Sequence, residues 1–431
     1  MDDAWRYHEE TKHTYESVRR SARALDWPNR PHPFKEYVGL EPEGEPAPAW
    51  LARLLRWGTG VIRTRGDYSF RTYSSAGALY PVEVYVALPE GLFHFHPGEF
   101  ALRRLRGEDV RARLVPDAAA AVVLTGILWR TAWKYGERGY RHLFWDAGTM
   151  LANLLALAAT DGLDPRLRVA FVDDEVNFVV GADPRREAAL CLLALGSAEA
   201  PPRVEVGPLG HDVRPLSRRE QEFPLAGRVH AASSLATAEE VERWRAAAAG
   251  GEAPEPEPPW PERLEPVLRR RGSTRDFASG PVPAGDLASI LARAFEPIPA
   301  DAAPLTHLYG IANRVDGLGP GTFRFEPPDG LRLLREGDFR RHAGYLVLEQ
   351  ALGSRAAATM FFMADLDDVL GRLGGRGYRW AQLEAGIRVG RVYLAAVARR
   401  LRATATTFYD DETSTFLAPE LEPMLAVAVG A

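Results

Sequence analysis

Hydrophobic and polar positions in the first 200 residues predict helices alternating with strands. Alternating β-branched and aromatic residues after Tyr80 and Pro81 predict a strand over residues 82–88. Further strands are predicted over 91–95, as a pair within 169–178, and over 190–195, and helices are predicted over 1–27, 50–57 and 141–160. The apolar run 118–125 fits either a buried strand or the end of a helix.

Residues 198–262 differ in composition, because Pro, Gly, Ala and charged residues dominate there. The sequence GGEAPEPEPP at 250–259 predicts a stiff, solvated linker. Residues 234–249 predict a helix within this region, with Ser234 as its N-cap. The chain is therefore divided into a first domain over 1–200, a connecting segment over 201–259 and a second domain over 260–431.

The second half repeats motifs of the first half in one order and at nearly constant separation. The matched pairs are GERGYR at 136–141 and GGRGYR at 374–379, DAG at 146–148 and EAG at 384–386, FVDDE at 171–175 and FYDDE at 408–412, and the apolar segments 190–196 and 425–430. A period of this length indicates tandem duplication of a whole domain rather than a solenoid repeat.

Two segments distinguish the halves. The first half contains the small-residue loop, Ser74–Ala78, and the corresponding residues 302–309 have lost this composition. The second half contains RGSTR at 271–275. Its nearest match, RRSAR at 19–23, lies inside the first predicted helix and lacks the glycine, so it is interpreted as a remnant or a coincidence. Each half keeps a segment that the other has lost.

Composition and charge narrow the classes of function. A length of 431 residues, with 46% hydrophobic and 26% charged residues, fits a globular protein of two or three domains. A net charge of −5 without a Lys/Arg run, and aromatic residues not interleaved with basic ones, argue against nucleic-acid binding. Cys191, the single cysteine, lies in an apolar run and is expected to be buried, which leaves no disulfide framework.

Membrane and metal sites are not expected. The acidic, polar start carries no signal peptide, and no uninterrupted apolar run reaches transmembrane length, so a cytoplasmic protein without a membrane partner is expected. The pairs His8 and His13, and His94 and His96, have no acidic or cysteine partner at a ligand spacing. The sequence GLGPG at 317–321 lacks the dinucleotide-binding spacing and is expected to form a turn.

Two segments suit a flat or anionic ligand. The small side chains of the small-residue loop let its backbone approach a ligand closely, and Gly77 adopts dihedral angles that other residues resist. In an extended segment Arg271, Ser273 and Arg275 would point the same way, and two guanidinium groups beside a hydroxyl suit a phosphate. The alternatives are a loop that binds nothing and a solvated charged segment.

Lys134 and Tyr135 are the third candidate, within WKYGER at 133–138. A lysine between two aromatic rings can be desolvated, which lowers its pKa and makes it a usable base. The adjacent tyrosine can hand over or accept a proton. The alternative is an exposed lysine whose stem packs on the rings.

These motifs together resemble the nitroreductase-like flavoproteins. Within them the chain is similar to the SagB-type dehydrogenases, the azoline oxidases that aromatise thiazoline and oxazoline rings in ribosomal peptides. The best match is SAGALYP at 75–81, and YHEETKH at 7–13, KYGER at 134–138 and RGSTR at 271–275 also match. The resemblance covers nearly the whole chain apart from the linker. Ala405-Thr406, where relatives usually have Gly-Leu, and Thr149, where they often have His, depart from the pattern.

The resemblance implies an α+β fold of two tandem nitroreductase-like, FMN-dependent domains. Each would be a mixed sheet flanked by helices, and the two would form an intramolecular pseudo-dimer around FMN. Lys134 would be the catalytic base, assisted by Tyr135. The cofactor-binding residues implied by the resemblance are Arg271, Ser273, Arg275, Ser74, Ser75, Ala76, Gly77, Ala78, Gln350, Thr406 and Thr407.

The expected function is an FMN-dependent dehydrogenase that oxidises an azoline by base-assisted proton removal and hydride transfer to flavin N5. Two alternatives stay open: an NAD(P)H-dependent nitro or quinone reductase, and a flavin-binding scaffold protein in a biosynthetic complex. The expected partners are a small-molecule or modified-peptide substrate and partner biosynthetic enzymes. Further homodimerisation is left open.

Overall fold

The computed structural model describes residues 2–20, 24–250 and 255–431. Its strands are β1 (Val61–Arg65), β2 (Tyr68–Arg71), β3 (Val82–Leu88), β4 (Gly91–His96), β5 (Ala101–Arg106), β6 (Ala120–Ile127), β7 (Pro165–Arg168), β8 (Glu187–Leu195), β9 (Val282–Pro283), β10 (His307–Ala312), β11 (Val315–Asp316), β12 (Gly321–Glu326), β13 (Gly330–Glu336), β14 (Ala358–Ala364), β15 (Arg402–Thr406) and β16 (Glu422–Gly430).

The helices are α1 (Asp3–Glu10), α2 (Tyr15–Arg20), α3 (Ala49–Gly58), α4 (Arg111–Leu114), α5 (Leu128–Tyr135), α6 (Gly139–Thr160), α7 (Asp173–Val180), α8 (Pro224–Ala232), α9 (Ala238–Ala248), α10 (Leu264–Arg270), α11 (Ala284–Ala294), α12 (Arg340–Leu346), α13 (Ala351–Arg355), α14 (Leu366–Ala398) and α15 (Asp410–Leu417). Short 3₁₀ helices lie at Trp27–Asn29, Ala76–Ala78 and Gly136–Arg138.

The chain forms two compact units. The first-half unit comprises Leu25–Pro261 and Pro297–Ala303, and the second-half unit comprises Met1–Ala24, Glu262–Glu296 and Pro304–Ala431. Helices α1 and α2 therefore belong to the second-half unit, although the sequence groups them with the first domain. The predicted domain boundaries at residues 200 and 260 stay predictions, and residues 251–254 of the predicted linker lie outside the described residues.

A six-stranded sheet in the order β5-β4-β3-β6-β8-β7 forms the centre of the first-half unit, and its strand pairs are antiparallel. Every residue of β3, β6 and β8 is buried. Helix α6 is buried from Gly139 to Ala158. The stretch Leu128–Thr160 is long and apolar enough to cross a membrane by length and composition alone, but 89% of its most apolar window is buried. A helix that is hydrophobic all round is typical of a protein core.

The second-half unit repeats this architecture. Its six-stranded sheet has the order β13-β12-β10-β14-β16-β15, again with antiparallel pairs. Strands β10, β12, β13, β14, β15 and β16 thus take the places of β3, β4, β5, β6, β7 and β8. The α+β class and the tandem duplication predicted from the sequence are confirmed. The expected mixed sheet is antiparallel in all its named strand pairs; isolated parallel bridges join Leu167 of β7 to Ala300 and Ala403 of β15 to Ser273.

Two glycines explain why the GERGYR and GGRGYR motifs recur. Gly136 ends α5 with φ +59° and ψ −143°, and Gly374 kinks α14 with φ +58° and ψ −160°. This combination of dihedral angles is open essentially to glycine alone. The duplicated motif therefore encodes the same break ahead of the buried core helix of each unit.

Most predicted elements are present. The predicted strands 82–88, 91–95 and 190–195 lie within β3, β4 and β8, the helices 50–57 and 141–160 lie within α3 and α6, and the ambiguous run 118–125 is largely strand β6. Gly317 and Gly319 lie in the expected turn, with positive φ. Cys191 is buried, as expected.

Three local predictions are wrong. Residues 173–180 form helix α7 instead of a strand, because Asp173, Asp174 and Glu175 favour a helix N-terminus and Gly181 caps the other end in the left-handed conformation. Ser234 is not the N-cap of α9. Its Oγ donates to His230 O, and the Thr237 side chain caps the helix.

The predicted helix over residues 1–27 is divided into α1 and α2. His13 N donates to Asp410 Oδ2 at 2.8 Å, and Asp410 N donates to His13 O at 2.8 Å. The backbone between the two helices is therefore hydrogen-bonded to a distant segment instead of to a continuous helix. Of the RRSAR segment at 19–23, Arg19 and Arg20 form the end of α2, and residues 21–23 lie outside the described residues. The RGSTR segment follows the end of α10, and the next helix, α11, begins at Ala284.

Candidate functional site

The small-residue loop lies between β2 and β3 in the first-half unit. Its backbone turns sharply, because Gly77 has φ +62°, and Ala78 and Tyr80 have φ +52° and +48°. Left-handed backbone costs a residue that carries a Cβ roughly 1–2 kcal/mol, a cost that glycine avoids. Contacts with the rest of the unit must therefore hold the loop in this conformation.

Asp146 of α6 anchors the loop. One carboxyl oxygen accepts a hydrogen bond from the Ser75 hydroxyl, and the other accepts one from Ala76 N at 3.1 Å. The Ser75 Oγ in turn accepts a hydrogen bond from Tyr80 N at 2.8 Å. A single buried acid thus fixes the turn directly at two residues and, through Ser75, at its far end.

Two more side chains of α6 extend this anchor. Thr149 Oγ1 donates to Ser74 O at 2.6 Å, and Asn153 Nδ2 donates to Thr72 O at 3.2 Å. With Asp146, these residues are spaced three and four apart and share one helix face. Sequence analysis did not assign Asp146, Thr149 or Asn153 to the site. Their sequence signal is a polar stripe in an otherwise apolar helix.

Burial raises the pKa of Asp146 to about 7, because removing water from a carboxylate disfavours its charged form. The hydrogen bonds from Ser75 and Ala76 and the charge of Arg71 oppose this effect and offset only part of it. The neighbouring phenol of Tyr73 is also buried, and burial raises its pKa. The site therefore contains a carboxyl group that holds a proton close to neutral pH.

Glu384 takes the matched position on α14 in the second-half unit. It accepts hydrogen bonds from Leu305 N at 2.6 Å and from Thr306 Oγ1 at 2.7 Å, so an acid anchors the corresponding loop there as well. Arg388 Nε donates to Glu384 at 2.7 Å, whereas Met150 takes the matched position on α6. The two copies share an anchor but differ in whether a guanidinium pairs with it.

Lys134 and Tyr135 lie beside the small-residue loop. A Cβ placed on Gly77 would be 3.0 Å from Tyr135 Oη and 3.2 Å from Lys134 Nζ. Trp133 is buried, whereas Lys134 is exposed, with its Nζ 5.3 Å from the Tyr135 ring centroid. The predicted desolvation between two rings is not seen, because consecutive residues at the end of α5 face different directions. Motif spacing alone does not predict that this pair lies beside Gly77, since the fold brings the two segments together.

His142 supports the Tyr135 ring. The two rings stack with centroids 4.1 Å apart and planes 13° apart, and His142 also meets Trp145 edge-on with centroids 4.6 Å apart. The break at Gly136 makes this possible, because it folds the end of α5 back over the first turn of α6. His142 is a site residue that sequence analysis missed.

The chain has only three lysines, and its other basic residues among the 53 are arginines. Lys12 Nζ contacts Glu9 at 2.6 Å and Glu422 at 3.0 Å, and Lys35 Nζ contacts Glu187 at 2.6 Å with both side chains buried. Lys134 is the exposed one. Because arginine does not lose its proton in proteins, Lys134 differs from the surface cations that the chain otherwise uses.

In the second-half unit the RGSTR segment runs beside strand β15. Ser273 forms the backbone bridge to Ala403, and its Oγ lies 2.8 Å from Tyr393 Oη. Ala405 N donates to the same Tyr393 oxygen at 2.7 Å. Tyr393 therefore joins the segment to the strand whose end carries Thr406.

The two arginines of this segment differ in exposure. Arg271 is buried, with its guanidinium carbon 5.6 Å from the Tyr393 ring centroid. Arg275 is exposed, and within the described part of the chain it has no hydrogen bond or ion pair. A guanidinium group in this state is available to an anion.

Thr406 ends β15, Thr407 follows it, and Gln350 immediately precedes α13. Gln350 Nε2 donates to Thr406 Oγ1 at 3.1 Å and to Val347 O at 2.8 Å. The preceding Leu348 and Glu349 are both left-handed, with φ +59° and +57°. The Thr407 Oγ1 is buried and has no hydrogen-bond partner among the residues that the structure describes. A buried hydroxyl without a partner is typical of a place where a ligand binds.

The predicted site residues are divided between the units. The first-half unit holds Ser74, Ser75, Ala76, Gly77, Ala78, Lys134 and Tyr135, and the second-half unit holds Arg271, Ser273, Arg275, Gln350, Thr406 and Thr407. Taken unit by unit, their chemistry suits parts of FMN. The second-half group offers an exposed guanidinium for a phosphate and the unpartnered Thr407 hydroxyl, and the first-half group offers backbone with little side-chain bulk.

One cluster has the composition of a metal site. Side-chain ligand atoms of His8, Glu9 and Glu422 lie within 4.8 Å of one another. The Lys12 ammonium contacts both carboxylates of this cluster and supplies its positive charge. The expectation that the protein needs no metal stays a prediction.

Comparison with known proteins finds two sequence relatives, each aligned over about a third of this chain. No family model matches the chain. The chain is 28% identical over 161 residues to the nitroreductase-like protein MJ1384 of Methanocaldococcus jannaschii, which covers 34% of this chain and 78% of that protein. It is 29% identical over 148 residues to the microcin B17-processing protein McbC of Escherichia coli, which covers 29% of this chain and 54% of McbC.

A solved structure covers both halves at once. The crystal structure of a nitroreductase-like protein from Anabaena variabilis superposes with a TM-score of 0.84 at 25% identity, over 100% of this chain and 99% of the other. The chain therefore consists of two tandem domains of the nitroreductase-like fold, and it is similar in sequence to the nitroreductase-like protein MJ1384 and to McbC.

Proposed function

We propose that the protein is an FMN-dependent dehydrogenase that oxidises a thiazoline or oxazoline ring to the aromatic azole. The observation that carries this proposal is the position of the Lys134 ammonium and the Tyr135 hydroxyl beside Gly77 of the small-residue loop. Loss of a ring proton needs a base next to the cofactor, and nitro or quinone reduction does not.

FMN would be held by charge and by close backbone approach. Arg275 and Arg271 supply cationic donors for the phosphate, with Ser273 between them, and the exposed state of Arg275 supports this role. Gln350, Thr406 and Thr407 would bind the flavin ring edge. The complementary losses in the two halves of the sequence support one FMN per chain.

The reaction removes one proton and one hydride from the azoline ring. Lys134 accepts the proton as the neutral amine, and Tyr135 orients it and shares the proton. A substrate lying over this pair excludes water from Lys134, which favours the neutral amine. When bound, FMN would supply the hydride acceptor, with molecular oxygen or another oxidant as the final electron acceptor.

The test compares Lys134→Ala, Lys134→Arg and Tyr135→Phe with the wild type on an azoline-containing peptide. Removing a general base lowers kcat by roughly 10²–10⁴-fold, and Lys134→Arg keeps the charge but not the base, so it should be as slow as Lys134→Ala. The flavin absorbance of all three variants should equal that of the wild type. Unchanged turnover in the lysine variants would overturn the proposal.

The names of two relatives favour a second candidate, an NAD(P)H-dependent nitro or quinone reductase. Mixing the protein with NADH and NADPH in a stopped-flow instrument separates the two activities. Rapid bleaching of the flavin, with turnover independent of Lys134, would favour the reductase. A purified protein without a flavin spectrum would favour the scaffold alternative.

The name of McbC states that it processes microcin B17. Similarity to McbC supports a modified peptide as the substrate and partner biosynthetic enzymes that form its azoline ring. A cytoplasmic location is part of the same proposal. Co-purification of the tagged chain with enzymes that cyclise Ser or Cys side chains would test this part.

A further inference from the structure

The small-residue loop and the acid that anchors it form one hydrogen-bonded unit. Asp146 is only 3% exposed, and its carboxyl oxygens contact Ser75 and Ala76 of the loop. The loop therefore covers the carboxyl group from solvent, so opening the loop would expose Asp146 to water. Loop closure and the protonation state of Asp146 must then be linked.

We propose that Asp146 is a proton-regulated positioning residue: as a carboxylic acid it holds the small-residue loop closed against α6, and its ionisation loosens the loop. The acid form satisfies both loop contacts, because its hydroxyl can donate to Ser75 Oγ while its carbonyl oxygen accepts from Ala76 N. The carboxylate makes the same contacts but loses its hydration when the loop covers it.

The charges around Asp146 support this direction. Arg71 at the end of β2 is the cation that acts on it, and it only partly offsets the effect of burial, while Tyr73 contributes an uncharged phenol. On α6 itself Thr149 binds the Asp146 backbone oxygen, and Met150 stands where the second-half unit has an arginine. The Lys134 ammonium also lies near this turn, beside Gly77.

The second-half unit provides an internal comparison. Glu384 anchors its loop by the same kind of contacts, but Arg388 pairs with it. The acid of that loop is thus part of an ion pair, whereas Asp146 has no hydrogen-bonded guanidinium partner among the described contacts of the small-residue loop. The difference between the copies therefore assigns the pH-regulated contact to the half that carries the small-residue loop.

This inference rests on the proposed function only for its consequence, which is that FMN contacts a loop whose closure depends on pH. The primary test is hydrogen–deuterium exchange of the full chain between pH 5 and 8, corrected for the intrinsic chemical rate. Protection of amides 75–79 should fall by roughly tenfold or more between pH 5 and 7 and level off above pH 7. Amides 305–308 should show no such change.

Asp146→Asn is the decisive variant, because its amide can donate to Ser75 Oγ and accept from Ala76 N but cannot ionise. It should keep the loop protected and remove the pH dependence, whereas Asp146→Ala and Ser75→Ala should loosen the loop at every pH. A loop whose protection is independent of pH in the wild type, or equally dependent on pH in Asp146→Asn, would overturn the inference.

A second arm separates this inference from the proposed function. Equilibrium dialysis should give weaker FMN binding at pH 8 than at pH 5.5 in the wild type and no such difference in Asp146→Asn. A pH-dependent loop in a protein that binds no FMN would uphold the inference and overturn the proposed function. Tight FMN binding with a loop indifferent to pH would do the reverse.

Discussion

At the scale of single residues, the candidate site depends on side chains that orient other side chains. Tyr135 is fixed by a stack with His142 whose centroids are 4.1 Å apart. Asp146 fixes Ser75 and Ala76, one turn along α6 from His142. None of these contacts follows from a local motif, because each joins α6 to a segment outside that helix.

The first prediction concerns this stack. His142→Ala removes the ring under Tyr135 and should lower azoline turnover by roughly tenfold, as expected when a proton-transfer group loses its orientation. His142→Phe keeps an aromatic surface there and should retain most of the activity. Steady-state kinetics across a pH series provide the measurement, and equal losses in both variants would show that the ring stack is not what matters.

The second prediction concerns the stability of the protein as pH changes. Burial raises the pKa of Asp146 to about 7 from an ordinary value of 3.8, so the folded protein keeps a proton that the unfolded chain releases. Stability should therefore fall as pH rises from about 4 to about 7, by roughly 4 kcal/mol at most. Above pH 7 the full cost is present, and below pH 4 it vanishes.

Asp146→Asn cannot ionise and should escape this cost. Its free energy of unfolding should exceed that of the wild type at pH 8 and approach the wild-type value at pH 4. Urea unfolding at both pH values, monitored by tryptophan fluorescence, measures the difference. A gap of the same size at both pH values would contradict the prediction.

At the scale of elements, the sequence predicted where a helix or strand lies better than it predicted which of the two forms there. Alternation and apolar runs located β3, β4, β8 and α6 correctly, because those elements are buried throughout most of their length. The strand pair predicted over 169–178 is wrong from residue 173 onward. Its valines and phenylalanine have high strand propensity, but the acids of the first turn and Gly181 favour helix α7. Contacts such as His13 with Asp410 could not be predicted, because they join residues 397 positions apart.

The third prediction uses the duplicated glycines as a matched pair. Gly136→Ala and Gly374→Ala each place a Cβ on backbone that only glycine readily adopts, so each should cost roughly 1–3 kcal/mol of stability. Only Gly136 sets the position of Tyr135 over His142. Gly136→Ala should therefore also lower turnover, while Gly374→Ala should preserve it per folded molecule. Denaturant unfolding combined with activity assays tests both statements.

At the scale of the whole molecule, duplication has left two units with the same strand order and different local chemistry. Both units anchor a loop with an acid on the core helix, but the small-residue loop and the lysine–tyrosine pair lie in the first-half unit, and the RGSTR segment lies in the second-half unit. The sequence alone identified this division, because the losses are visible in aligned repeats. The sequence could not predict that α6 holds the small-residue loop in place. The polar stripe on this helix can be interpreted only when the structure shows the loop bound to it.

The last prediction follows from this division. If each half retains only one part of the flavin site, the purified protein should bind one FMN per chain and not two. Arg275→Gln should raise the Kd for FMN by roughly tenfold or more, because it removes a charge-assisted contact to a phosphate. Arg270→Gln is the matched control, since Arg270 is also exposed, ends α10 and lies outside the RGSTR segment, and its Kd should equal that of the wild type. Fluorescence titration of the apoprotein measures both Kd values. Two FMN molecules per chain would show that duplicated sites have been retained. Equal effects of the two substitutions would show that the arginines act only through net charge.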